Sequence, residues 1–123
     1  MSAEDLEFAR EFLDVLATAA KTGDRAALYS LLAHDVEWLT PQRDVHGLDA
    51  ARKELTWVTP PENLDLEFNE PELNDLGGGR VVSDVLEVYR MKETGEFAYA
   101  RDRRIQLTIR DGKVARYEMW IVG

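Results

Sequence analysis

The chain has no cysteine, two histidines and four prolines in 123 residues. The missing cysteines exclude a disulfide scaffold, cysteine-based zinc or iron–sulfur sites and any thiol nucleophile. His34 and His46 stand twelve apart without HxH or HxxxH spacing, so no histidine-rich metal site is expected, and the carboxylates follow no recognisable metal-binding loop pattern. Apolar runs fall far short of the roughly 20 residues that cross a bilayer. The opening residues, MSAEDLEFAR, lack a basic start followed by an apolar stretch, so no signal peptide is expected. Basic residues are scarce as well: 15 Lys and Arg against 24 Asp and Glu leave a net charge of −9. Nucleic-acid backbones and anionic membranes attract basic surfaces, so neither is an expected partner. A soluble, cytoplasmic protein is the expectation.

What is present is enough for one domain, residues 1–123, with 45% hydrophobic residues to build its core. The charge is unevenly placed. Residues 1–79 carry 6 basic and 17 acidic side chains, or −11, while residues 80–123 carry 9 and 7, or +2. Between Lys53 and Arg80 seven acids occur with no basic residue, the pattern of a solvated face.

Periodicity orders the elements. Leu6, Ala9, Leu13, Leu16 and Ala20 recur at helical spacing, with Phe8, Phe12 and Val15 widening the stripe, so residues 4–20 read as a helix. Lys21 and Gly23 close it, and Asp24 caps a short second helix around Leu28 and Leu31. Asp35 to Thr40 is a strand-like run stopped by Pro41, and Gln42 to His46 a polar connection. Gly47-Leu48-Asp49 opens a third helix carrying Ala50, Ala51, Leu55 and Trp57, halted at Pro60-Pro61. Leu64 to Phe68 alternates apolar with acidic, as an edge strand does, and Pro71 interrupts it. Strands then follow over 80–91, 97–109 and 114–122, joined by Glu93-Thr94-Gly95-Glu96 and by Asp111-Gly112, the strongest hairpin signal in the chain. The class is α+β: helices on one face of a mostly antiparallel sheet.

Familiar catalytic motifs are missing. Gly77-Gly78-Gly79-Arg80 lacks the Lys-Ser/Thr of a phosphate loop and precedes a strand, so it reads as a turn. No Gly-x-Ser-x-Gly elbow occurs. Arg101-Asp102-Arg103-Arg104 is a basic cluster on a strand, suited either to salt bridges on the sheet or to anion capture.

One ordered set of segments does carry a resemblance. Thr22-Gly23-Asp24-Arg25-Ala26-Ala27-Leu28 comes first, then Leu32-Ala33-His34-Asp35-Val36-Glu37-Trp38 and Pro41. His46-Gly47-Leu48-Asp49-Ala50 and a late Asp111-Gly112-Lys113-Val114 complete it. In that order the chain resembles the nuclear-transport-factor-2-like superfamily, and in particular its SnoaL-like and ketosteroid-isomerase-like members. The resemblance spans nearly all residues. It implies a cystatin-like α+β roll, a curved sheet wrapped around a long N-terminal helix to form a cone with an apolar pocket. It does not imply one reaction, since that fold hosts many.

The family's catalytic residues transfer poorly. The isomerase base corresponds to Thr40, and its oxyanion-hole tyrosine and aspartate to Leu16 and Ile105, none of which can do that chemistry near neutral pH. The Arg-x-Asp of limonene-epoxide-hydrolase-like members falls on Val85 and Glu87, and their second aspartate on Met119. One carboxylate thus stands without its arginine. The SnoaL-type His/Asp pair again meets Ile105.

What remains is a pocket wall of Leu16, Trp38, Ile105 and Met119 with Thr40, Glu87 and Tyr117 as polar handles, suited to a small apolar molecule. Glu87 faces the pocket in that register; a one-residue slip would put Asp84 there instead. The expected function is a cofactor-free binding protein for such a ligand. The alternative is an isomerase, dehydratase or cyclase with Glu87 as base and Tyr117 or His46 as donor. On the opposite face Trp120, with Gln106, Thr108, Arg116 and Glu118, reads as the anchor of a homodimer interface, and the resemblance implies the same, since members of this fold often dimerise through that surface.

Overall fold

The computed structural model describes residues 3–55 and 60–122. Trp57, assigned above to the end of the third helix, lies outside them. Helix α1 runs over Ala3–Thr22 and buries Ala9, Phe12, Leu13 and Ala19. Gly23, at φ +79°, ends it by donating its N–H to the Ala19 carbonyl at 2.8 Å. The Asp24 carboxylate then accepts from the Ala26 N–H at 3.3 Å, turning the chain into α2, Ala26–Ser30. Helix α3, Leu48–Glu54, follows Gly47.

Seven strands form one sheet: β1 (Leu32–Leu39), β2 (Asp44–His46), β3 (Leu64–Phe68), β4 (Glu72–Gly77), β5 (Arg80–Met91), β6 (Phe97–Arg110) and β7 (Lys113–Val122). Their order is β2-β1-β7-β6-β5-β3, with β4 also on β5. Among the described residues only the β1–β7 pair is parallel; every other pairing is antiparallel. The sheet is curved and unclosed, with α1 packed across β4 and β5.

Three expectations need correction. Residues 42–46 are not only a connection: Asp44–His46 pair with β1, placing Val45 opposite Trp38 and burying it. Strand β1 starts at Leu32 rather than Asp35, because Leu32 pairs with Val114 before an irregularity preceding Glu37. Strand β4 carries so much charge and so little apolar surface that its pattern does not announce it. It exists by pairing with β5, and Leu73 alone among its residues packs against the core. Asn69 divides β3 from β4, its N–H donating to the Leu86 carbonyl and its Oδ1 accepting from the Leu86 N–H.

The core lies between α1 and the concave face. Phe12, Leu28, Val36, Val45, Val81, Leu107 and Val114 are its largest fully buried side chains, each contributing about 1.5–3 kcal/mol. Alternation fixes which residues reach that face. On β5 they are the odd positions Val81, Ser83, Val85, Glu87 and Tyr89, all buried. Directly opposite on β6 are Leu107, Ile105, Arg103, Arg101 and Tyr99. Tyr117, Met119 and Ile121 of β7 continue the face, and Trp38 of β1 pairs with Tyr117.

Candidate functional site

A carboxylate on that face is out of place. Glu87 keeps only 9% of its side-chain surface exposed, and burying an unpaired carboxylate is expensive. The cost is met across the strand: Arg103 donates from Nε to Glu87 Oε1 at 2.8 Å. Arg103 stands directly opposite Val85, so it reaches Glu87 on the diagonal. Its Nη1 lies 3.8 Å from the Met119 sulfur. The carboxylate therefore does have an arginine, supplied by the neighbouring strand rather than by position 85 of its own.

Two phenols flank the pair. Tyr117 is buried, stacked on Trp38 with ring centroids 3.8 Å apart and tilted against Phe12 at 6.2 Å. Burial pushes its hydroxyl well above the ordinary tyrosine range; the Arg103 guanidinium partly opposes this and the Glu87 carboxylate adds to it. Tyr89 is raised in the same direction, by burial first and by Glu87 next. Both hydroxyls stay protonated near neutral pH and are donors rather than bases. Ser83 adds a buried Oγ with no hydrogen-bond partner among the described residues. The face thus offers an ion pair, phenolic donors and a free hydroxyl in an apolar wall.

The sequence-derived residues separate into groups. Glu87, Tyr117, Trp38, Ile105 and Met119 share the concave face. Leu16 packs half-buried against the core from α1. Asp84 points the other way, exposed, and takes a two-point ion pair from Arg104 at 2.8 and 3.3 Å, which holds its carboxyl below the usual range. That decides between the two carboxylates: Glu87 faces inward. His46 is not near Glu87. It is exposed on β2, with Nδ1 3.5 Å from Glu37 Oε2 on the outer face of the sheet. Thr40 closes the β1–β2 turn: its Oγ1 donates to the Arg43 carbonyl and accepts from the Arg43 N–H. Neither residue is brought to the ion pair. The sequence marks Arg101 and Arg103 only as part of a basic cluster suited to salt bridges or anion capture, and does not mark Tyr89; the β5–β6 register alone shows all three to be neighbours of Glu87.

Trp120, Gln106, Thr108, Arg116 and Glu118 do share the outer face, with Trp120 42% exposed opposite Arg104. A shallow groove of about 170 Å³ lies elsewhere, between α1 and the start of α2, lined by Asp14, Val15, Thr18, Asp24 and Ala27. Among the described residues no cluster of His, Asp and Glu is arranged to hold a metal ion, and no helix is long and apolar enough to cross a membrane.

The architecture matches solved structures over nearly its whole length. An NTF2-like protein with a cystatin-like fold from Novosphingobium aromaticivorans superposes with a TM-score of 0.63 at 17% identity, covering 98% of this chain and 83% of that one. A SnoaL-like protein from Mesorhizobium loti, described as a candidate polyketide cyclase, gives 0.54 at 23% identity over 93% and 96%. TerC, crystallised with polyporic acid, gives 0.65 at 22% identity over 97% and 92%. Identities this low establish a shared fold: the chain has the NTF2-like, cystatin-like architecture. No protein-family model and no curated protein matches the sequence.

Proposed function

We propose that the concave face binds a small, largely apolar molecule, oriented by the Glu87–Arg103 pair and the Tyr117 hydroxyl. The observation that carries this reading is the pair itself, an ionised couple held against aromatic and aliphatic walls. Apolar residues of similar volume would stabilise such a core about as well or better. Its presence there fits a polar task, and sites of this kind combine an apolar lining with a few fixed polar groups. The structural relative crystallised with polyporic acid supports a small organic ligand. The test is a titration with N-phenyl-1-naphthylamine, a neutral apolar fluorophore. Saturable binding at one site per chain is expected, weakened at least tenfold by Ile121→Trp. Ile121 is half-exposed opposite Arg103, so a larger side chain there blocks the approach. Binding that never saturates, or that ignores the substitution, sinks the reading.

A second reading is proton transfer in an isomerase, dehydratase or cyclase. It is favoured by a carboxylate and a protonated phenol on the same buried face. Glu87 would take the proton and Tyr117 would stabilise the developing oxyanion. Exchange of the α-hydrogens of aryl ketones into D2O, lost in Glu87→Gln, is the expected signature. Glu87 Oε1 is already engaged by the Arg103 guanidinium at 2.8 Å rather than free to meet a substrate, so binding ranks first.

We propose that the outer face forms a homodimer interface, with the exposed Trp120 as its aromatic anchor beside Gln106, Thr108, Arg116 and Glu118. Sedimentation should give a dimer for the native chain and a monomer for Trp120→Glu. A variant that stays dimeric removes Trp120 from the interface.

A further inference from the structure

Resting on the reading that this face holds an apolar ligand, we infer that the ligand is an aromatic acid and that Arg101 captures its anionic group. Arg101 stands directly opposite Glu87, yet Glu87 takes its hydrogen bond from Arg103. Among the described residues no carboxylate lies within ion-pair distance of Arg101. Its guanidinium instead lies over the Tyr99 ring, 5.8 Å from the centroid. Tyr99 in turn stacks on Tyr89 at 4.5 Å and 18°. A cation beside a stacked aromatic pair presents both things an aromatic acid needs, a π surface and a charge partner.

The local charge has the required sign. On the concave face of β5 and β6, Arg101 and Arg103 oppose one carboxylate, Glu87, whereas the whole chain carries −9. The acids nearest in sequence are turned away: Asp84 is engaged by Arg104 on the outer face, and Asp102 shares that face. A further cation stands on the far side of Glu87. The Lys21 Nζ lies 5.6 Å from the centroid of Phe68, whose backbone pairs with Glu87. A neutral ligand would leave this excess of positive charge unused, and a cationic one would be repelled by it. Ring and anion together match the aromatic strip and the unpaired arginine.

The test compares two probes with the same ring system on the full-length chain. 1-Anilinonaphthalene-8-sulfonate carries an anion; N-phenyl-1-naphthylamine does not. Arg101→Gln should weaken the sulfonate about tenfold or more and leave the neutral probe within about twofold, while Arg101→Lys should restore part of the loss. Arg101 is exposed, so unchanged thermal unfolding is expected in both variants. Equal losses for both probes, or no loss for either, overturn the anion inference while the apolar site stands. Failure of both probes to bind the native chain saturably brings down the ligand-binding reading, and this inference with it.

Discussion

Removing Arg103 while leaving Glu87 in place should be far more damaging than removing both. The two charges, at a centre-to-centre distance of about 4 Å, attract by roughly 4 kcal/mol at an effective dielectric of about 20. Desolvation offsets most of that gain. In Arg103→Met the attraction vanishes while Glu87, 9% exposed, keeps its desolvation penalty. The expected loss is about 3 kcal/mol, the lower end of the range for breaking a buried pair, because Arg103 itself is 23% exposed. Glu87→Leu should cost less, about 1 kcal/mol, since the freed guanidinium can reach water. The double variant Glu87→Leu, Arg103→Met should lie within about 1 kcal/mol of the native chain, leaving a coupling of roughly 3–5 kcal/mol. Urea unfolding followed by circular dichroism reads all three at constant m-value. Two additive single variants would falsify the pairing. A double variant destabilised by more than both singles would show that the couple serves stability rather than a ligand. The double variant is also expected to lose discrimination among polar ligands while remaining folded.

Tyr117 has a raised folded-state value, so the stability it contributes is complete below about pH 10 and is lost as pH climbs above that toward the folded value. Alkaline unfolding of the native chain should steepen by about 1.4 kcal/mol per pH unit relative to Tyr117→Phe, and equal slopes in the two would refute the burial argument. Gly79→Ala should cost about 2–3 kcal/mol, because an added Cβ would stand 2.4 Å from the Ile109 carbonyl oxygen at φ +80°. Gly78→Ala, with open space around it, should cost about 1 kcal/mol, and equal thermal shifts in the two would count against the clash. Salt should affect sulfonate binding only weakly: raising ionic strength from 0.01 to 0.1 M shortens the Debye length from about 30 to 10 Å, screening the repulsion of the distant −9 more than contact with Arg101. A steep fall in affinity would instead indicate a diffuse basic surface.

Much of the fold was legible because pattern and turn chemistry agree. The strand over 80–91 and the turn at Glu93–Glu96 follow from alternation and glycine placement, and both are found as read. Where pattern and turn disagree, the pattern wins. The Asp111-Gly112 turn, with both residues at positive φ, pairs Arg110 with Lys113. Continued without interruption, that register would set Ile105 against Glu118 and Leu107 against Arg116. The irregularity between Thr108 and Ile109 shifts it by one residue, so Ile105 meets Met119 and Leu107 meets Tyr117. A slip that would have exposed two core residues is replaced by a bulge.

The same arithmetic explains why the site was only half readable. Near the β5–β6 turn, Arg90 pairs with Phe97, a register that would carry on to set Glu87 against Ala100 and Asp84 against Arg103. The concave face would then hold Asp102 and Arg104 in place of Arg101 and Arg103, and two arginines would become one arginine and one acid. The irregularity between Tyr89 and Arg90 prevents this, bringing Tyr99 against Tyr89 and both arginines inward. In the sequence, Arg101-Asp102-Arg103-Arg104 has basic residues in both parities, so composition cannot say which face is cationic. Stacking of Tyr89 on Tyr99 fixes the register, the register selects the arginines, and the arginines set the sign of charge a ligand meets.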